Sequence, residues 1–145
     1  MSTASWMVTA PSADADPSAV APMVLVGRDY WTNVVPAVTS DGKVFIAWAN
    51  NGKIYLDRSF DGGSLWLTND IQVAEQTGGW DLKVPGHDRC NGMPVLMTDN
   101  SKQSFRGSLY LVWADQRKGE ADTDIWFTRS HNYGDNWTSP MRVND

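Results

Sequence analysis

One eight-residue frame occurs twice in the chain. Ser59-Phe60-Asp61-Gly62-Gly63-Ser64-Leu65-Trp66 and Ser130-His131-Asn132-Tyr133-Gly134-Asp135-Asn136-Trp137 share Ser-x-(Asp/Asn)-x-Gly-x-x-Trp, 71 residues apart. A chain that repeats its turn chemistry at a fixed spacing builds the same local unit twice. The match runs backwards from each frame. Ile54, Tyr55 and Arg58 pair with Ile125, Trp126 and Arg129 at the same offset of 71. Trp48 pairs with Trp113 at an offset of 65, and Asn33 and Pro36 pair with Asn91 and Pro94 at 58. The offset grows in steps of 7 and 6, so the second repeat carries two insertions. Both fall between apolar segments, where added length is tolerated.

Those apolar segments are short. Val44–Ala49 and Ser108–Trp113 read as buried strands. Lys53–Arg58 and Asp124–Arg129 alternate with period two. Turn residues punctuate them at Ser40-Asp41-Gly42, Asn50-Asn51-Gly52, Asp61-Gly62-Gly63 and Tyr133-Gly134-Asp135. No segment keeps a helical period, so the fold class is all-β. Each repeat is expected to hold four antiparallel strands, A to D: residues 30–86 with the frame at 59–66, and residues 87–145 with the frame at 130–137. Residues 1–29 are either an N-terminal arm or a degenerate half-repeat, because Ser12–Met23 lines up with Ser130–Met141 without gaps.

The frame has a structural logic. The Ser59, Asp61, Ser130 and Asn132 oxygens are placed to accept backbone N–H bonds inside a tight reversal. Gly63 and Gly134 allow positive φ, and Trp66 and Trp137 are expected to fold back as apolar plugs. The motif resembles the Asp box of the bacterial neuraminidase repeat family. The stretch Leu111-Val112-Trp113-Ala114-Asp115-Gln116-Arg117, followed by Asp124–Ser130, is similar to its sialidase-like members, and the resemblance covers about residues 33–145. It implies a β-propeller in which each repeat is one blade, giving two to two and a half blades. It also implies that the D–A and B–C loops share the ligand face. Too few blades are present to close a ring, so assembly with further copies of the chain is expected.

On that face the sequence places Trp31, Trp80, Arg117 and Asp122 as candidate ligand-binding residues, with His87, Asp88, Arg89 and Glu120 nearby. Indoles stack on the C–H faces of sugars, and guanidinium forks suit hydroxyls or carboxylates. Arg117 and Asp122 also match the spacing of the family's second arginine and its acid/base aspartate. They are the candidate catalytic pair. The family's strand-A Arg-Ile-Pro is replaced by Gly92-Met93-Pro94 and Val34-Val35-Pro36, and no nucleophile pair is visible. The leading expectation is therefore a non-catalytic carbohydrate-binding module. A divergent sialidase-type glycoside hydrolase and a protein-interaction scaffold are the alternatives.

Composition narrows the partners. The net charge is −5 with no basic block, which argues against nucleic acid and anionic membranes. No apolar run approaches the ~18 residues of a membrane span. The only cysteine, Cys90, excludes an internal disulfide and is read as a small buried residue opening a strand. His87 and His131 lack a partner pattern, and neither a metal nor a cofactor is expected. No signal peptide opens the chain, although the family resemblance implies a secreted or periplasmic setting.

Overall fold

The computed structural model describes residues 32–145. Trp31 and the possible half-repeat at 1–29 lie outside the described residues. The rest is all-β. Eight strands run β1 (Thr32–Val38), β2 (Val44–Asn50), β3 (Lys53–Ser59), β4 (Ile71–Glu75), β5 (Val95–Thr98), β6 (Leu109–Asp115), β7 (Asp124–Ser130) and β8 (Met141–Arg142). They form two antiparallel meanders of four strands, β1-β2-β3-β4 (sheet I) and β5-β6-β7-β8 (sheet II). Each sheet corresponds to one sequence repeat.

Alternation decides what each sheet buries. Phe45 and Ala47 on β2 share a face with Ile54 and Leu56 on β3, as their cross-strand pairing requires. This front face of sheet I packs on the back face of sheet II, formed by Leu96, Leu109, Leu111 and Trp113. Val35, Ala37, Ile71, Val73, Trp126, Tyr133 and Trp137 close the margins of that layer. Contacts between β5 and both β1 and β2 bring the two sheets together at this layer. Val44, Ile46 and Trp48 point the other way and form a second cluster with Val34, Val38, Tyr55 and Trp66.

The two turns of the repeated frame share most of their hydrogen bonds. Ser59 Oγ accepts from Gly63 N at 2.8 Å and donates to Asp61 Oδ1 at 2.7 Å. Asp61 Oδ1 then accepts from Ser64 N and Leu65 N. In the second turn Ser130 Oγ accepts from Gly134 N at 2.9 Å and donates to Asn132 Oδ1 at 2.9 Å, and Asn136 N donates to Asn132 Oδ1. Gly63 and Gly134 sit at φ +100° and +95°, where a Cβ would be strained. Each tryptophan closes the loop by donating from Nε1 to a glycine carbonyl, Trp66 to Gly63 at 2.8 Å and Trp137 to Gly134 at 3.1 Å. Both indoles are half-buried, each with an apolar cluster beside it.

Cys90 departs from its expected place. It is half-buried in the long β4–β5 connection, and β5 begins only at Val95. The β8 strand is also brief, two residues, because only Trp126↔Arg142 and Phe127↔Met141 pair there.

Two outcomes check this account. Trp137→Ala removes an indole from the edge of the shared layer and should cost about 3 kcal/mol in urea unfolding. Asp61→Asn copies what the second turn already has in Asn132. The Ser59 hydroxyl, then the backbone N–H groups of Leu65 and Ser64, hold the Asp61 carboxyl below its ordinary value of 3.8. A lowered folded value means that its share of stability is present above 3.8 and is lost as pH falls through the folded value. The variant should match the wild type at pH 7 and lose less stability in acid, read as unfolding midpoints at pH 7 and pH 3.

Candidate functional site at the loop end

The connections of the two sheets sort to opposite ends. At one end lie the β1–β2, β5–β6, β3–β4 and β7–β8 turns, cross-linked side to side. Arg58 on β3 donates to the Tyr133 carbonyl at 2.6 Å and pairs with Asp135 at 2.5 Å. Ser40 N donates to Asn100 Oδ1, Arg106 donates to Ser40 Oγ, and Ser108 Oγ lies 2.8 Å from His131 Nδ1. All but the last of these bonds, which lies within sheet II, lock the turns of sheet I to those of sheet II.

The other end gathers the β2–β3 turn, the long β4–β5 connection and the β6–β7 loop. The β2–β3 turn is only Asn51-Gly52, with φ of 48° and 73°, the geometry of a tight hairpin. The β6–β7 loop runs from 116 to 123, eight residues against two, so it is six longer. Two glutamines weld these segments. Gln76 is buried, and its Nε2 donates to the carbonyls of Gly92 and Ala114. Gln116 accepts from Lys83 N at 3.0 Å and donates to Lys83 O, Glu120 O and Thr123 Oγ1. Backbone bonds from Gln76 N to Gly52 O and from Gln116 N to Thr77 O complete the weld. A buried amide with such partners fixes a connection that turn propensity alone leaves loose. Neither glutamine stands out in the sequence. The only local hint is that each immediately follows a strand.

Arg117 is held tightly. Its Nε donates to both oxygens of Asp115 at 3.0 Å, and its Nη2 pairs with Oδ2 at 2.5 Å. Nη2 also donates to the Glu75 carbonyl at 3.0 Å. The guanidinium lies 3.9 Å from the Trp126 ring centre and 5.8 Å from that of Trp113. Asp115 is fully buried and also accepts from Trp113 Nε1 at 2.9 Å. The fork therefore neutralises a buried carboxylate and ties the β4 end to the β6–β7 loop. Asp124 faces Asp115 across the ladder and is likewise buried. Lys118 pairs with it at 3.3 Å and Arg142 at 3.4 Å. Burial pushes the Asp124 carboxyl up, but Asn144, Lys118 and Arg142 together outweigh it and leave it below the ordinary value.

Asp122 is exposed in the loop, and its backbone N–H donates to the Gly119 carbonyl at 3.0 Å. The structure gives it no contact with Arg117. Trp80 is the projecting group. Its ring is 46% exposed and lines a cleft of about 290 Å³ with Asn50, Asn51, Gly79 and Asp81. The Arg89 guanidinium stands 4.7 Å from its ring centre. A second depression of about 420 Å³, lined by Asp81, His87, Asp88 and Glu120 among others, adjoins it. Trp80, Asp81, Arg89, His87 and Asp88 thus share one end with Arg117 and Asp122.

Gly92 is closely packed against the end of β6. A Cβ at this position would overlap the Ala114 carbonyl, so no side chain fits without moving backbone. Among the described residues no group of three His, Cys, Asp or Glu could hold a metal ion, and no helix is long and apolar enough to cross a membrane. The chain matches no protein-family model and no curated protein sequence.

Because Arg117 neutralises Asp115, Arg117→Ala should destabilise the fold by about 3 kcal/mol. Gln76→Ala leaves the Gly92 and Ala114 carbonyls without their donor. Hydrogen exchange should quicken selectively across residues 77–92 in that variant, while β2 and β6 stay protected.

Proposed function

We propose that the chain is a non-catalytic binding module of propeller type, each four-stranded sheet being one blade, and that its loop end takes a carbohydrate. The observation that carries the reading is Trp80: a large ring about half exposed, held beside a polar cleft on a connection fixed by buried glutamines. An indole exposed in this way favours a ligand with flat C–H patches and many hydroxyls. Asp81, Asn50 and Asn51 supply acceptors and donors around it. Arg89, which forms no ion pair with the described residues, stands beside the ring and favours a sugar bearing a carboxylate.

Arg117 then acts as a positioning residue, and Asp122 offers an exposed carboxylate at the rim of the same end. A hydrolase of the sialidase type needs an acid set against a nucleophile across the bond to be cut. Against it, the strand-A arginine of that type has no room at Gly92, where a Cβ would overlap the Ala114 carbonyl.

A glycan array followed by NMR titration tests the reading. Binding to an acidic oligosaccharide is expected, with amide shifts confined to residues near 50–52, 77–92 and 116–123. Trp80→Ala should weaken it at least about 10-fold without changing the unfolding midpoint. Absence of binding to every glycan would move the reading to a protein-interaction scaffold. Cleavage of a fluorogenic sialoside that disappears in Asp122→Ala would establish the hydrolase instead.

A further inference from the structure

The Trp80 cleft does not end at its own rim. Asp81 lines it and also lines the second depression, so the two share a wall. The cleft holds about 290 Å³ and the depression about 420 Å³. Sites that enclose a drug-sized ligand run from about 300 to 1,000 Å³, so the cleft alone stands at the lower limit and the two in succession fit a longer molecule.

The second depression has fixed walls. One is the stretch 81–88, and the other is Glu120 and Ala121 of the β6–β7 loop. Gln116 ties them together. Its Nε2 donates to Lys83 O at 3.1 Å and to Glu120 O at 2.8 Å, and its Oε1 accepts from Lys83 N at 3.0 Å. Leu82 N donates to Cys90 O at 2.9 Å and His87 N to Val84 O at 3.1 Å, which folds the first wall back on itself. A groove held in this way keeps its shape before a ligand arrives, so little ordering entropy is lost on binding.

Charge changes along the groove. At Trp80 the Arg89 guanidinium stands 4.7 Å from the ring centre and offers a fork to a carboxylate. Around the second depression stand the carboxylates of Asp81, Asp88 and Glu120, and the lysine there, Lys83, pairs with Asp81 at 3.3 Å. Carboxylates accept hydroxyl donors and repel a further carboxylate. Exposed Pro85 and half-buried Val84 add C–H surface for a sugar ring to lie on.

We infer that the cleft and the depression are successive subsites for one oligosaccharide. An acidic sugar lies on Trp80 beside Arg89, and the unit joined to it, rich in hydroxyls and without an acid group, lies in the second depression. The second subsite rests on the carbohydrate reading of the Trp80 cleft and gives the ligand a length and an order of units.

Isothermal titration of the full chain tests this with glucuronic, galacturonic and sialic acids. Each acid is used as its methyl glycoside, joined to a neutral hexose, and joined to a second copy of itself. For the acid that binds, the hexose conjugate should be held at least about 10-fold more tightly than the methyl glycoside, and the di-acid should gain nothing. Ala121→Trp fills the second depression from an exposed position, so the unfolding midpoint should be retained. It should abolish the hexose gain and leave the methyl glycoside unaffected. Asp88→Asn combined with Glu120→Gln should let the di-acid gain. A hexose conjugate no tighter than the methyl glycoside, a gain that survives Ala121→Trp, or a double variant that still refuses the di-acid would overturn the second subsite and leave the Trp80 reading standing. No binding of any probe would overturn both.

Discussion

The apolar layer between the sheets is what the rest of the molecule depends on. Phe45, Ala47, Ile54 and Leu56 meet Leu96, Leu109, Leu111 and Trp113 there, every one of them nearly free of solvent. A four-stranded meander has an apolar face that it must bury against another element. Stacking supplies the missing cover and fixes which strand residues point inward, because a one-residue slip would turn each set to the wrong side. The turns then inherit their positions. Arg58 reaches Tyr133 and Asp135, and Thr98 Oγ1 reaches the Val38 carbonyl, because the layer holds the sheets at one separation.

The repeat carried much of this into the sequence. The strand positions, the four-strand count and the turn chemistry follow from local pattern: period-two alternation, Gly at positive φ, and Ser and Asp or Asn oxygens within four residues of the N–H groups they accept. Asp61 and Asn132 differ in charge, yet each accepts a bond from the serine hydroxyl and one from the backbone N–H four residues on, so the frame tolerates either. The extra six residues of the β6–β7 loop are also plain from the change of offset.

What the sequence left illegible is non-local. Gln76 bonds Gly92 and Ala114, 16 and 38 residues away, and Gln116 reaches Lys83, 33 away. Nothing in the neighbourhood of either glutamine announces those partners. Arg117 shows the opposite hazard. Its residue type and loop position point to a ligand, but its nearest acceptor is Asp115 two residues back, buried by a strand pairing that only the fold creates. Cys90 sits in the β4–β5 connection, because β5 pairs only from Val95 onward whereas its counterpart β1 begins ahead of its own proline, Pro36, a difference the repeat alignment does not show.

The same arithmetic separates the two ends of the molecule in function. At the turn end the polar groups are used up by one another: Arg58 with Asp135, Arg106 with Ser40, Ser108 with His131. A ligand there would have to displace bonds already made and gain little. At the loop end the buried amides hold backbone, and the groups that remain outward are an indole, a guanidinium and short polar side chains around two depressions. Rigid support beneath exposed recognition groups lowers the entropy lost on binding. Of the two insertions, the seven-residue one lengthens the β5–β6 connection at the turn end and the six-residue one the β6–β7 loop at the loop end, so the second adds chain where it can meet a ligand without disturbing the layer that makes the fold.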